Sequence, residues 1–333
     1  MLASVAKVEA VEGKVARAVP PVIRLVLLAL AAIGLITVFM TIEAHGNWDF
    51  ILPFRGRKIL AMVLVGYAIA ASTVMFQTIT NNRILTPSIM GFDALYMLIQ
   101  TVVVFFLGAA RLSQMNPRFQ FGLEVLAMVG FSGTLYWWLF IRVERSVHLL
   151  VLVGIIFGVL FGSFTNLLQR MIDPTEFAVL QDAGFASFNS VNRTLLGISG
   201  LIIIAVSIVI WRMIHVLDAL ALGRELSITV GVEYRRTIMI VLALVTILVS
   251  VSTALVGPIT FFGLLVAHLA YQTVGSHSHR YTIPAAGLFS VIFLVGGQMV
   301  LERVFSFNSS LSIMIDFLGG LLFIILVLRG GKK

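Results

Sequence analysis

The chain has no cysteine, and only 11% of its 333 residues are charged. The absence of cysteine excludes disulfides, thiolate metal sites and cysteine nucleophiles. The low charge is unusual, because a soluble domain carries about 25% charged residues. Hydrophobic residues make up 59% of the sequence instead. They fall in runs of about 20, long enough to cross a hydrocarbon core of about 30 Å. The composition therefore predicts an integral membrane protein.

Ten apolar segments predict an all-α, polytopic membrane protein with about ten transmembrane helices. We assign residues 1–21 to a cytoplasmic N-terminal segment and residues 22–330 to a single transmembrane domain. The eighth segment is short and begins at Gly257-Pro258, so it is a candidate for a broken or re-entrant helix. The segments span residues 22–42, 59–80, 90–109, 122–141, 147–169, 194–214, 236–256, 258–274, 282–301 and 310–328.

The distribution of Lys and Arg predicts the orientation, because these residues collect in cytoplasmic loops. With ten spans, most of the 23 basic residues lie on the side of the two termini, which we therefore expect in the cytoplasm. The basic residues sit in short loops between apolar runs. Topology thus explains the net charge of +8 better than a nucleic-acid partner does. The outer side would hold Arg55, Arg57, Lys58, Arg111, Arg118, Arg170, Arg193 and Arg303.

Motifs for catalysis and nucleotide binding are missing from the sequence. There is no GxxxxGK[ST] motif, so the chain cannot bind ATP by that device. We find no convincing catalytic cluster and do not expect an enzyme. His277 and His279 are only two residues apart in a short inner loop, and we expect a solvated polar turn there. We expect His268 to pack or to form a hydrogen bond, and we expect no metal site.

Three stretches are more specific. Residues 52–92 combine a basic outer loop, an apolar helix and a break rich in Asn, Thr, Pro and Gly. Residues 217–236 form the longest inner loop, where Gly231 is expected to end a short amphipathic helix. Residues 257–280 contain glycines that permit close helix packing in membranes.

Taken together, these stretches resemble the FecCD family of ABC-importer permeases, which carry ferric siderophores, haem and vitamin B12. The family pattern reads roughly RLPR, Q-x-x-x-x-NPLAxPxxLG, LGE-x-A-x-x-LGV and GPIxFxGLxxPHxxR, and the likeness covers about residues 50–330. The chain departs from it at Leu85-Thr86 and at Ala267, and its RLPR order is scrambled. The matching residues are Arg55, Arg57, Gln77, Asn82, Pro87, Gly91, Leu222, Gly223, Glu225, Gly231, Val232, Gly257, Pro258, Ile259, Phe261, Gly263, Leu264 and His268.

The resemblance implies a permease of the type II ABC importer class in the bacterial inner membrane. It would move a ferric siderophore, with the catecholate type as one candidate, by alternating access. The implied partners are two cytoplasmic ATPases holding ATP and Mg, a second permease chain that is identical or homologous, and an external substrate-binding protein, besides membrane lipid. The chain itself is expected to bind no cofactor, and the cavity is expected between the two permease chains.

The resemblance also implies site residues. Arg55, Arg57 and Arg303 would dock the binding protein, because arginine forms bidentate salt bridges and complementary charge guides docking. The loop 215–235 would couple to the ATPase. Asp93 and Asp316 are ionisable residues in predicted spans, which makes them candidates for the translocation path; helix capping or local pairing is the alternative. The coupling residues would be Leu222, Gly223, Arg224, Glu225, Thr229 and Gly231.

Two other functions stay open at this point. A permease for haem or a cobalamin would keep the architecture and change the cargo. An ion-coupled secondary transporter would show repeat halves and broken helices around ions at the midplane. The sequence shows no clear internal repeat and few candidate charges at the midplane, which favours the importer.

Overall fold

A computed structural model describes residues 20–43, 48–138, 147–305 and 310–330. Most of the predicted N-terminal segment, residues 1–21, lies outside the described residues, as do Lys332 and Lys333. The described part contains no strand. Its helices are α1 (Pro21–Thr41), α2 (Trp48–Thr80), α3 (Phe92–Leu107), α4 (Ala109–Gln114), α5 (Pro117–Trp137), α6 (Val147–Gln169), α7 (Pro174–Ala183), α8 (Arg193–Arg212), α9 (Ile214–Leu220), α10 (Arg224–Thr229), α11 (Tyr234–Val256), α12 (Phe262–Val274), α13 (His279–Arg303) and α14 (Leu311–Gly330), with a 3₁₀ turn at Pro87–Met90.

The ten predicted apolar segments each coincide with a helix, so the all-α, polytopic prediction is confirmed. Among the described residues, six helices (α1, α2, α6, α8, α11 and α13) are long and apolar enough to cross a membrane. The apolar parts of α3, α12 and α14 are shorter. The last of the ten helices that coincide with apolar segments is α5, which carries Arg118 and Glu124.

Two predicted loops contain helix. The predicted outer loop at 42–58 is wrong in its second half, because α2 begins at Trp48 and carries Arg55 and Arg57 on its early turns. Hydropathy detects only the apolar part of a helix, and the basic residues at 55–58 hid this extension. The predicted loop 170–193 contains α7, whose N-cap Asp173 accepts a hydrogen bond from the Thr175 backbone N–H at 3.3 Å.

Helix α2 lies at the centre of the bundle and packs against α11, α12 and α13. Its middle is almost entirely buried, and many of the buried residues there are small, including Ala61, Ala68, Ala70 and Ala71. Small side chains let helix backbones approach closely, which is a main source of helix association in membranes. Close packing therefore holds the long, buried α2 in place at the centre of the bundle.

The eighth apolar segment begins with a non-helical stretch, the helix break, which separates α11 from α12. After α11 ends at Val256, the chain is non-helical until Phe262 begins α12. Gly257 has φ +98°, and a Cβ there would lie 3.1 Å from the Ala186 Cα, so glycine fits both the backbone and the space. The Val256 carbonyl accepts a hydrogen bond from the Ser187 N–H at 2.8 Å. Protein surrounds the break, which irregular backbone at membrane depth requires.

Candidate docking and coupling surfaces

The antiparallel pair α2 and α13 is fixed by polar contacts at both ends. At one end Lys58 Nζ lies 2.9 Å from Glu302 Oε1. At the other end Thr78 Oγ1 lies 2.7 Å from His279 Nε2. Lys58 and Thr78 are separated by about 30 Å along α2 at 1.5 Å per residue. The predicted docking arginines lie at the first end and the predicted coupling loop lies at the second.

The three predicted docking arginines have different surroundings. Arg55 Nη1 donates to the carbonyl oxygens of Phe39, Met40 and Ile42 at 2.9, 3.1 and 2.7 Å. It thereby satisfies carbonyls that the C-terminus of α1 leaves without a helical partner. Arg303 pairs with Glu43, in the segment that follows α1. Both arginines therefore hold the end of α1.

Arg57 is the docking candidate that remains turned to solvent. Its side chain is exposed, and its Nε donates to the Pro53 carbonyl of its own helix at 2.9 Å. Arg57 and Lys58 line a cleft of about 250 Å³ together with the loop around Asn189. Asn189 Oδ1 accepts a hydrogen bond from Gln298 Nε2 at 3.0 Å, which ties this loop to α13. The candidate docking surface is thus formed by α2 and the loop around Asn189, which Gln298 of α13 holds in place.

The predicted coupling loop contains two short helices, α9 and α10. Gly223 precedes α10 with φ +91° and Gly231 follows it with φ +96°. Such φ values favour glycine, because other residues are strained there. Ser227 Oγ donates to the Ala219 carbonyl at 2.9 Å and joins α10 to α9. The predicted short helix ended by Gly231 is confirmed.

The coupling segment, residues 218–231, also exposes apolar side chains, a feature that the sequence analysis did not name, although it included Leu222 among the coupling residues. It lies between spans, so lipid tails do not explain this exposure. Clustered exposed apolar residues mark an interaction surface. The signal was present in the sequence as apolar residues alternating with polar ones along a short inner helix. The exposed residues are Leu222, Leu226, Ile228 and Val230.

Asp218 anchors the coupling segment to the bundle. Its Oδ1 accepts a hydrogen bond from the His279 backbone N–H at 2.7 Å and lies 2.6 Å from His279 Nδ1. Its Oδ2 accepts from Ser278 Oγ at 3.0 Å. Burial raises the pKa of the Asp218 carboxyl, but these hydrogen bonds outweigh burial and lower the pKa below its usual value. The carboxylate is therefore charged across the physiological range.

The expectation of a solvated turn at His277 and His279 is wrong for His279, which is buried. His279 is the first residue of α13, and it is kept from solvent because Asp218 contacts its Nδ1 and Thr78 contacts its Nε2. His277 does lie at the surface, with Nδ1 3.3 Å from Arg83 Nη2. His268 forms the expected hydrogen bond, to Gln272 at 2.6 Å.

Asp93 and Asp316 both contact the helix break. Thr260 Oγ1 donates to Asp93 Oδ2 at 3.0 Å, and the Phe261 N–H donates to Asp316 Oδ1 at 3.1 Å. Asp93 thus holds the Thr260 side chain, and Asp316 holds a backbone N–H of the helix break. These contacts agree with the alternative prediction, in which the two carboxylates pair with nearby polar groups.

Glu124 is a buried ionisable residue that the sequence analysis missed, although it lies inside the predicted span 122–141. It is 2% exposed. Its Oε1 accepts hydrogen bonds from Gln100 Nε2 at 2.6 Å and from Gln120 Nε2 at 2.9 Å. Over the part of the chain that the structure describes, no group of three His, Asp or Glu side chains could hold a metal ion. The two hydrogen bonds place Glu124 in a polar cluster with Gln100 and Gln120.

Known proteins resemble this chain over most of its length. The model of the FecCD transport family matches residues 22–329. The petrobactin import system permease protein YclO of Bacillus subtilis (strain 168) is 48% identical, over 93% of this chain and 97% of that protein. The petrobactin import system permease protein FatC of Bacillus anthracis is 36% identical, over 92% and 88%. A metal-chelate type ABC transporter solved in an inward-facing conformation has the same fold, with a TM-score of 0.81 at 22% identity, over 93% and 99%.

Proposed function

Since the chain belongs to the FecCD transport family, as a permease subunit of an ABC importer, we propose that its cargo is a ferric siderophore. The observation that carries this proposal is the 48% identity to a petrobactin import permease over nearly the whole length of both chains. A second petrobactin permease at 36% identity supports the same cargo class. The chain is a multi-pass membrane protein that serves as a transport subunit, and it makes or breaks no bond in its cargo.

We propose three kinds of partner protein for this permease. Two ATPase subunits hold ATP and Mg in the cytoplasm, and a second permease chain completes the membrane part. A substrate-binding protein delivers the ferric siderophore from outside. The chain binds no cofactor of its own. Two surfaces at opposite ends of α2 support this scheme, because an importer must contact its binding protein and its ATPase on opposite sides of the membrane.

The proposed roles of the site residues follow from their surroundings. Arg57 contacts an acidic lobe of the binding protein, whereas Arg55 and Arg303 keep the end of α1 in place beside it. The coupling segment, residues 218–231, rests on the ATPase through its exposed apolar side chains. Asp93 and Asp316 hold the helix break and thereby shape the path.

We propose that the chain lies in the bacterial inner membrane with both termini on the cytoplasmic side. The distribution of Lys and Arg supports this orientation. Because the chain has no cysteine, a single introduced cysteine can report the side unambiguously. His277→Cys, at an exposed position outside the coupling segment, should react with a membrane-impermeant maleimide only after cells are opened. Arg111→Cys, at the other end, should react in intact cells whose outer barriers have been permeabilised. The reverse pattern contradicts the orientation.

The cargo is tested by reconstitution. The permease is purified in mild detergent, its copurifying subunits are identified by mass spectrometry, and the complex is placed in liposomes with its binding protein. We expect ATP-dependent uptake of ⁵⁵Fe-petrobactin, and competition by unlabelled ferric petrobactin but not by haem or cobalamin. Uptake of haem or cobalamin instead would contradict the siderophore assignment. Recovery of no ATPase, even after crosslinking, would contradict the proposed partners.

A further inference from the structure

A small polar cavity lies where the helix break meets α2, the 3₁₀ turn, α3 and α11. The space open to the centre of a water molecule is about 10 Å³. One water molecule or one small ion needs roughly 10–15 Å³ of such space. Hydroxyl groups and one carboxylate line the cavity, and the rest of its lining is apolar or glycine. The polar lining residues are Ser72, Thr73, Thr86, Ser88, Asp93, Thr253 and Thr260.

Three of these hydroxyl groups have no partner. Thr73, Thr86 and Thr253 are only 1%, 3% and 5% exposed. Within the part of the chain that the structure describes, their side chains form no hydrogen bond. A Cβ on Gly263 would overlap Thr73 Oγ1, so the glycine keeps room for this hydroxyl at the cavity. Because buried polar groups are as a rule hydrogen-bonded, the three hydroxyls indicate a bound species.

Asp93 brings a negative charge to the cavity without a basic partner. Among the described residues, its carboxylate bonds to hydroxyl groups. Thr260 Oγ1 donates to Oδ2 at 3.0 Å, and the Ser88 side chain is a second donor. Hydroxyl donors stabilise a carboxylate, but they do not cancel its charge. A cation in the cavity would cancel it.

The depth of the cavity makes this charge costly. Ser72 lies about 12 Å along α2 from the last residue of that helix, Thr80. The cavity therefore lies well inside a hydrocarbon layer of about 30 Å, where an unpaired charge is expensive. The N-terminus of α3 offsets part of the charge on Asp93. The C-terminus of α11, with Thr253 in its last turn, adds partial negative charge on the other side.

We propose that this cavity binds one sodium ion, held by the Asp93 carboxylate and by the hydroxyl groups that have no other partner. One carboxylate lines the cavity, so a monovalent ion leaves the site neutral. The small space favours Na⁺ over the larger K⁺. Sodium sites in membrane transporters form where a helix is broken near the midplane. Ser88 and Thr260 are partly exposed, which leaves the ion a way in.

A water molecule beside a protonated Asp93 is the competing occupant. It fits the same space and the same hydroxyl groups, but it requires no sodium. The expected absence of a metal site rested on histidines and carboxylates, and hydroxyl ligands were not considered there. Binding of sodium itself therefore decides between the two occupants.

The direct test measures ²²Na⁺ on the full-length permease, purified in mild detergent, by scintillation proximity. We expect saturable binding that unlabelled NaCl displaces and that equimolar KCl or choline chloride does not. The unfolding temperature should also be higher in NaCl than in choline chloride at equal ionic strength. The absence of saturable binding would overturn the proposal and assign the cavity to water. Equal displacement by KCl would contradict a sodium site.

Two variants locate the ion. Asp93→Asn removes the carboxylate of the cavity and should abolish ²²Na⁺ binding, whichever way the unfolding temperature itself moves. Thr73→Val nearly keeps the shape of the side chain and removes one unpartnered hydroxyl. It should raise the NaCl concentration for half-maximal binding by about fivefold, as the loss of one hydroxyl contact does. Thr73→Val also decides the question if Asp93→Asn does not fold.

The matched control is Thr80→Val on the same helix. Thr80 is also buried, but its hydroxyl donates to the Phe76 carbonyl at 2.8 Å and does not line the cavity. This variant should bind sodium as the wild type does. Undiminished binding in Thr73→Val, or an equal loss in Thr80→Val, would overturn the proposed site. These measurements need no cargo, so they stand whether or not the siderophore assignment holds.

Discussion

His279 Nδ1 lies 2.6 Å from Asp218 Oδ1, and this contact joins the coupling segment to the first turn of α13. A charged carboxylate can only accept, so Nδ1 carries the proton. The opposite ring nitrogen, Nε2, contacts Thr78 Oγ1 of α2 at 2.7 Å. One buried imidazole thus connects α9, α13 and α2, and a shift of the coupling segment reaches the central helix through it.

Replacing Asp218 should loosen this connection. Asp218→Asn keeps the size of the side chain but weakens hydrogen bonds that a charged acceptor strengthens, each worth about 1.5–3 kcal/mol. We expect a lower unfolding temperature in detergent and less cargo moved per ATP hydrolysed. Asp182→Asn, an exposed change at the far end of the bundle, is the matched control. An unchanged transport-to-hydrolysis ratio would remove Asp218 from coupling.

The same change has a defined pH dependence. The folded-state pKa of Asp218 is lowered from 3.8, so its stabilising contribution is fully present above that value and is lost as the pH falls through the lowered pKa. The difference in unfolding temperature between wild type and Asp218→Asn should therefore persist at pH 5 and shrink only below about pH 3.8. A difference that disappears between pH 7 and pH 5 would show that His279, and not the carboxylate, governs the contact.

The ion pair at the other end of α2 should matter for folding. Lys58 and Glu302 have side chains only 6% and 14% exposed. Removing one partner of such a pair costs about 3–5 kcal/mol, because the other charge stays buried. Glu302→Gln should therefore lower the unfolding temperature more than the double variant Lys58→Met/Glu302→Gln does. Additive losses in the double variant would show that the two side chains act independently.

The sequence predicted the helices well because membrane spans are apolar along their whole length. It failed where polar residues hide a helix, as at Arg55 and Arg57, or where a helix is too short to span, as in α7. Motif spacing identified Gly223 and Gly231 before their positive φ values were known. The contacts Lys58–Glu302 and Asp218–His279 join residues far apart in the chain. No local pattern encodes such pairs, and for that reason they were missed.

We expect Arg57 to act in docking and Arg55 to act in stability. Arg57→Glu reverses an exposed charge and should weaken binding of the substrate-binding protein at low salt by about tenfold, the change that about 1.4 kcal/mol gives. It should leave the unfolding temperature unchanged. Arg55→Ala should instead lower the unfolding temperature, because three carbonyls of the α1 end lose their donor. Equal effects of both variants on docking and on stability would contradict this division.

The glycine before α10 should set the shape of the coupling segment. Gly223 has φ +91° and open space around its Cα. Gly223→Ala therefore meets no clash but strains the backbone, because φ +91° with ψ 173° is a region open essentially to glycine alone, and such strain costs on the order of 1–3 kcal/mol. We expect folded protein with fewer cargo molecules moved per ATP. Gly197→Ala, a helical position with equally open space, is the control. Normal coupling in Gly223→Ala and in Glu225→Gln would contradict the assignment of this segment.

Close packing at the 3₁₀ turn before α3 depends on a pair of glycines. A Cβ on Gly158 would lie 3.1 Å from the Gly91 Cα, which is backbone and cannot rotate away. Gly158→Ala should therefore destabilise the protein by about 1–3 kcal/mol, as overpacking does. Gly162→Ala lies one turn further along α6, where a Cβ meets nothing within 4 Å. It should be neutral or slightly stabilising, because alanine is the better helix former. Thermal unfolding of both variants in the same detergent compares them directly. An equal loss in both would show that α6 cannot accept any added methyl group, and that the contact with Gly91 has no special role.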